Sequence, residues 1–221
     1  MKVGVEVVTG FLGAGKSAFI NSLINKTIAD KEKIVIVTCE SGNIQINEFN
    51  ENGQSVKHIN FMGESLELNN EIYNIVKKYK PHRIIIEYNG TDTLEHLYKC
   101  VFGNETGKLI KLSTIYFICD GRNIEFYVMN MGEILLPFIQ NSDVIVINNC
   151  NREKKLEVEK GIKLLESLNH KAQIIRSENN DKFNLALENS KLLEDKLVRN
   201  MRVKLIEYMR KQDSRWESEY K

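Results

Sequence analysis

Three glycines within six residues, followed at once by a lysine and a serine, constrain this chain more than any other stretch: Gly10-Phe11-Leu12-Gly13-Ala14-Gly15-Lys16-Ser17. The octet follows an apolar run, Val3-Gly4-Val5-Glu6-Val7-Val8, and opens onto Ala18-Phe19-Ile20-Asn21-Ser22-Leu23-Ile24. Strand, glycine-rich turn and helix in that order are the context a phosphate-binding loop requires. The glycines let successive backbone N–H groups curl around phosphate oxygens, and the helix N-terminus adds partial positive charge. The expectation is a nucleoside triphosphate site, GTP or ATP, cradled by Gly10, Leu12, Gly13, Ala14, Gly15, Lys16, Ser17 and Ala18. Lys16 would reach the terminal phosphates, and the Ser17 hydroxyl would ligate Mg2+.

The rest of the chain supplies a fold for such a loop. Strand-like runs recur at Val3–Thr9, Ile34–Cys39, Val56–Phe61, Arg83–Tyr88, Thr114–Asp120, Asp143–Asn148 and Ala172–Arg176. Blocks such as Ile34-Val35-Ile36-Val37 suit strands buried on both faces. Helical patterns between them cover Lys16–Asn25, Ser65–Lys80, Thr93–Phe102, Ile124–Gln140 and Arg152–Asn169. The alternation predicts an α/β fold: a doubly wound, mostly parallel sheet with helices on both faces and its ligand at the carboxyl ends of the strands. Residues 1–180 form the nucleotide domain, and 181–221 a helical extension packed on it. In that extension Leu193, Leu197, Met201, Leu205 and Met209 predict the buried face of a long helix. Arg199, Arg202, Lys204 and Arg210 predict a solvated basic face.

Composition narrows the class. Lysine and arginine number 31 against 30 acidic residues, so overall charge gives no footprint for nucleic acid or an anionic membrane. No apolar run reaches the roughly 20 residues of a membrane span. The first strand begins almost at once, which leaves no space for a signal peptide and predicts a cytoplasmic protein. Cys39, Cys100, Cys119 and Cys150 form no C-x-x-C pair and read as free thiols; a shared metal site at the strand ends is the alternative.

A phosphate loop needs a carboxylate to position Mg2+ and polarise water, normally at the end of a neighbouring strand. Two residues qualify. Glu87 closes Arg83-Ile84-Ile85-Ile86, and Gly90 follows, where a backbone N–H could sense the terminal phosphate. Glu40 closes the second strand ahead of Ser41-Gly42-Asn43. Lys16, Glu40 and Glu87 are the candidate catalytic residues, and Ser17, Glu40 and Glu87 the candidate Mg2+ ligands.

The wording of these segments resembles the CobW-type GTPases, relatives of UreG and HypB. Thr9 to Ser17 is similar to that family's TGFLGAGKT loop. Glu40-Ser41-Gly42-Asn43-Ile44-Gln45-Ile46-Asn47 resembles its E-F-G-E-V-G-I-D switch, and Glu87-Tyr88-Asn89-Gly90 its E-T-T-G segment. Cys119-Asp120-Gly121 sits where the family has V-D-A, and Ser142 to Asn148 mirrors A-D-x-I-x-x-N. The resemblance implies a GTPase that dimerises around nucleotide or works with a partner protein, and that delivers a metal or metallocofactor.

Three features depart from that pattern. The region expected to carry the family's C-x-C-C metal motif reads Phe61-Met62-Gly63-Glu64-Ser65-Leu66, without a cysteine; the scattered cysteines or His58, His82 and His96 are the alternative ligands. The guanine-reading N-K-x-D appears as Asn148-Asn149-Cys150-Asn151. An amide offers one acceptor and one donor where aspartate offers two acceptors, an edge that suits adenine or xanthine. The other location for base recognition is near Ser177-Glu178-Asn179. Finally, about 45 residues follow the last strand, too few for the family's C-terminal domain. No arginine finger is identifiable, so a hydrolase here is expected to turn over slowly. A non-hydrolysing nucleotide-binding module and a small-molecule kinase are the alternative readings.

Overall fold

The Val/Ile blocks form the inner strands of one sheet. In the computed structural model, which describes residues 2–39, 44–64, 67–88, 90, 92–103, 105–150, 155–190 and 196–219, the strands are Val3–Gly10 (β1), Lys33–Thr38 (β2), Phe49–Glu51 (β3), Gln54–Asn60 (β4), Arg83–Glu87 (β5), Ile110–Asp120 (β6), Val144–Asn148 (β7) and Gln173–Arg176 (β8). Their order is β3-β4-β2-β5-β1-β6-β7-β8. Every pairing is parallel except β3 with β4.

Helices cover both faces, as expected of a doubly wound sheet. They are Lys16–Thr27 (α1), Leu68–Tyr79 (α2), Leu94–Phe102 (α3), Thr106–Leu109 (α4), Ile124–Asn141 (α5), Lys155–Leu168 (α6), Phe183–Glu188 (α7) and Lys196–Glu219 (α8). One core joins Val5, Val7, Ile84, Ile86 and Phe117 to α2, α3, α5 and α6. The other joins Val8, Ile85, Tyr116 and Ile118 to Phe19, Ile20 and Leu23 of α1 and Phe183 of α7. Period-2 alternation therefore sends Arg83, Ile85 and Glu87 to the α1 side of β5. No helix among the described residues is long and apolar enough to cross a membrane.

Strand β3, the short helices α4 and α7 and the face of α8 differ from the sequence reading. Strand β3 was not expected, because Phe49-Asn50-Glu51 carries no apolar alternation. The signal lay in the turn: Asn52 and Gly53 have φ of 52° and 81°, the two positive values of a tight hairpin. The face of α8 is also reversed. Met201 and Leu205 are 71% and 51% exposed, whereas Val203 and Ile206 are buried and Arg199 and Arg202 turn inward. The cause is charge at the amino end of the sheet, where Glu6 and Glu32 are buried and draw guanidinium groups inward. Lys204 is exposed as expected; Leu193 and the side chains of Leu197 and Arg210 lie outside the described ones.

Candidate functional site

Strand β1 delivers the glycine loop at the carboxyl edge of the sheet, between β5 and β6. Gly10 has φ +136°, and a Cβ there would stand 2.0 Å from the Ile118 carbonyl oxygen of β6. Gly90 approaches from the other side, where a Cβ would meet the Gly10 carbonyl at 2.2 Å. Only glycine fits either position, so the segment after Glu87 rests directly on the loop. Gly13 and Gly15 also have positive φ, and Leu12 points into solvent while Ala14 is buried and Ala18 half-buried.

Lys16 and Ser17 open α1 and are both buried. The Lys16 ammonium donates to the Gly10 and Phe11 carbonyls at 2.8 and 3.1 Å, across the mouth of the loop. The Ser17 hydroxyl donates to Glu87 at 2.9 Å to Oε1 and 3.1 Å to Oε2. Two of the residues singled out from sequence, 70 positions apart, thus meet in one buried pair. Hard oxygens of this kind suit Mg2+.

Asn148 closes the far side. Its amide nitrogen donates to the Ala14 carbonyl at 3.0 Å and to Asn180 Oδ1 at 2.7 Å. Its Oδ1 accepts from the Asn149 N–H at 2.9 Å. Asn148 therefore ties the loop to the ends of β7 and β8. Asn148→Ala takes this donor from the buried Ala14 carbonyl and is expected to lower stability by about 1–2 kcal/mol in urea titrations; an unchanged midpoint would remove Asn148 from this role.

Glu40 and Asn151, the remaining site residues expected from sequence, lie outside the described residues. The described end of the switch-like segment is held by Asn21 of α1, which donates to the Gln45 carbonyl and accepts from the Asn47 N–H, each at 3.0 Å. Asn21 and Asn180 carried no signal in the sequence, since both act through backbone or amide groups far along the chain. Asp120 ends β6 and binds Arg122 through its guanidinium and backbone N–H. It also accepts from the Asn149 amide at 2.9 Å. Partial burial works against the Asp120 charge, but Arg122 and Asn149 outweigh it and hold the carboxyl below its usual range.

The alternative metal ligands are otherwise engaged. His58 bonds Thr38 at 2.9 Å, His82 bonds Glu207 at 2.7 Å and His96 bonds Asp92 at 2.6 Å. Cys119 and Cys150 are free thiols, Cys39 is half-buried, and the Cys100 side chain lies outside the described ones. Burial pushes the Cys119 thiol up, and pushes Cys150 up to about 11, so both stay protonated near neutrality. Among the described residues no group of three or more His, Cys, Asp or Glu side chains is placed to hold a metal ion.

The fold has known counterparts. The Zn(II)-bound YjiA GTPase from E. coli superposes with a TM-score of 0.55 at 18% identity, over 79% of this chain and 57% of YjiA. The chain thus spans little more than half of YjiA's length. The hydrogenase maturation factor HypB from Archaeoglobus fulgidus gives 0.53 at 20% identity, over 95% of this chain and 89% of HypB. The signal recognition particle receptor FtsY from Elizabethkingia anophelis, in complex with GDP, gives 0.52 at 12% identity, over 86% of this chain and 65% of FtsY. A search of curated proteins gives no match. The sequence itself matches a family model over residues 4–176, from the first strand to the last, and the chain belongs to the CobW/HypB/UreG family through its nucleotide-binding domain.

Proposed function

We propose that this protein is a nucleoside triphosphate-binding and hydrolysing switch. The observation that carries the reading is the buried Ser17–Glu87 pair beside Lys16. Gly10 to Ala18 and the Gly90 backbone surround the phosphates. Ser17 and Glu87 are the groups that would hold Mg2+, with Glu40 a further carboxylate by its place in the sequence. Mg2+, when bound, neutralises charge on the phosphate oxygens. Lys16 stabilises the negative charge that grows on the terminal phosphate, and Glu87 orients the attacking water. Water adds to the γ-phosphorus, the bond to the bridging oxygen breaks, and the segment resting on Gly10 through Gly90 is released from the phosphate it contacted.

In the family's setting this switch serves metal or metallocofactor handling in the cytoplasm. The chain works as a homodimer or with a partner protein, which then supplies the soft ligands for the cargo. Single-turnover phosphate release tests the catalytic half of the proposal. Glu87→Ala should slow release about a hundredfold. Equal rates in the two proteins would overturn hydrolysis by this pair and favour a module that binds nucleotide without cleaving it.

A further inference from the structure

We infer that Glu178 is the residue that selects guanine, taking over from the aspartate that Asn151 replaces in the sequence motif. This rests on the nucleotide reading above. The carboxyl ends of β7 and β8 bracket a cleft of about 440 Å3, within the roughly 300–1,000 Å3 of small-ligand sites. At the end of β7, two residues before the lining residue Cys150, Asn148 bonds Ala14 of the glycine loop and Asn180 beyond β8. The Cys150 N–H donates to the Ser177 carbonyl at 2.9 Å and joins the two strand ends beneath it. From β1 to β8 is three strand spacings, about 14 Å, a reach that a nucleotide covers from terminal phosphate to base.

The charges lining this cleft sort into two kinds. Arg176 and Glu159 are committed to each other, Nη1 to Oε1 at 3.0 Å. Glu178 and Lys155 have no ion pair or side-chain hydrogen bond among the described residues. Glu178 is exposed and immediately follows Ser177. Guanine presents two donors, N1–H and the N2 amino group, beside the O6 acceptor. A carboxylate accepts both donors, and an ammonium such as that of Lys155 matches O6. Adenine instead turns the N1 lone pair toward the carboxylate and offers one donor group. Buried Val158 supplies the apolar wall against which a base ring can lie.

Calorimetric titration of the full chain with GTP, ATP and XTP in the presence of Mg2+ tests the assignment. The wild type should bind GTP at least tenfold tighter than ATP. Glu178→Gln should weaken GTP by about tenfold to a hundredfold and improve both ATP, whose N1 lone pair and amino group match the new amide, and XTP, whose C2 carbonyl accepts from it. Glu178 is exposed, so the variant should fold as the wild type does. A preference for ATP, equal binding of the three nucleotides, or unchanged GTP affinity in the variant would overturn the base assignment and leave the phosphate site standing. Failure of the wild type to bind any of the three would overturn the nucleotide reading and this inference with it.

Discussion

Lys16→Ala is expected to lower nucleoside triphosphate affinity about a thousandfold, below what calorimetry detects at ordinary protein concentrations. The ammonium is buried at the mouth of the loop and already donates to two carbonyls, at 2.8 and 3.1 Å. Those bonds hold the charge where a terminal phosphate would arrive. Exchange of each neutral acceptor for a phosphate oxygen gives a charge-assisted bond, and two such bonds at about 1.5–3 kcal/mol each account for the expected loss. The fold should survive the substitution. The Phe11 carbonyl keeps the Ala14 N–H as a donor at 3.2 Å, and the Gly10 carbonyl loses the ammonium, at a cost of about 1 kcal/mol. Circular dichroism and urea titration would establish that the variant is folded. Tight binding by a folded Lys16→Ala protein would sink the phosphate-loop assignment.

The glycine loop and the helix it opens were legible in the sequence because their constraints are local. Gly10 must avoid the Ile118 carbonyl, Lys16 and Ser17 must open a helix, and eight consecutive residues carry all of that information. Glu87 was legible as a carboxylate closing an apolar strand. Arg83, at the other end of β5, was not. Strands buried on both faces show no alternation, so Ile84-Ile85-Ile86 hides the fact that Arg83 and Glu87 share a face. Buried charges inside apolar strands, Glu6 in β1 and Arg83 in β5, were the available signal. The orientation of α8 failed for a related reason. Periodicity reports that a helix has an apolar stripe, not which surface the stripe meets. At the base of this sheet the neighbours are carboxylates, and Arg199 and Arg202 face inward at the expense of Met201 and Leu205. Asn180 was beyond reach, since its bond to Asn148 spans 32 positions and depends on where two loops end.

That buried charge network sets the second large effect. Arg83 donates to Glu6 at 3.2 Å, to the Thr27 hydroxyl at 3.2 Å and to Glu32 at 3.3 Å, and its Nε lies 3.1 Å from the second Glu32 oxygen. Arg199 of α8 adds a guanidinium 3.5 Å from Glu6. His82 accepts the Lys33 N–H at Nδ1, which fixes its proton on Nε2 toward Glu207 of the same helix. Arg83→Met keeps the bulk but leaves two buried carboxylates facing each other, with the half-buried Arg199 and Arg202 of α8 as the cations left near them among the described residues. It should cost about 3–5 kcal/mol at neutral pH, read as a lower urea midpoint. The pH dependence identifies the cause. In the wild type, burial raises the Glu6 carboxyl, but Arg83 and then Arg199 outweigh it, so the group titrates below its ordinary 4.5. Its contribution is therefore complete above that value and lost as pH falls through the lowered one. In the variant burial acts without Arg83, and Glu6 takes up a proton at higher pH. The gap between the two proteins should be widest near pH 7 and narrow towards pH 4. A gap that stays constant over this range would mean that Arg83 contributes through packing alone. Because Glu6 sits on the strand that ends in the phosphate loop, and Arg83 on the strand that ends in Glu87, the same substitution should raise hydrogen exchange in α8 around Val203 and Ile206 before it disturbs the loop. The helix is held to these two strands by the charges that the substitution strands.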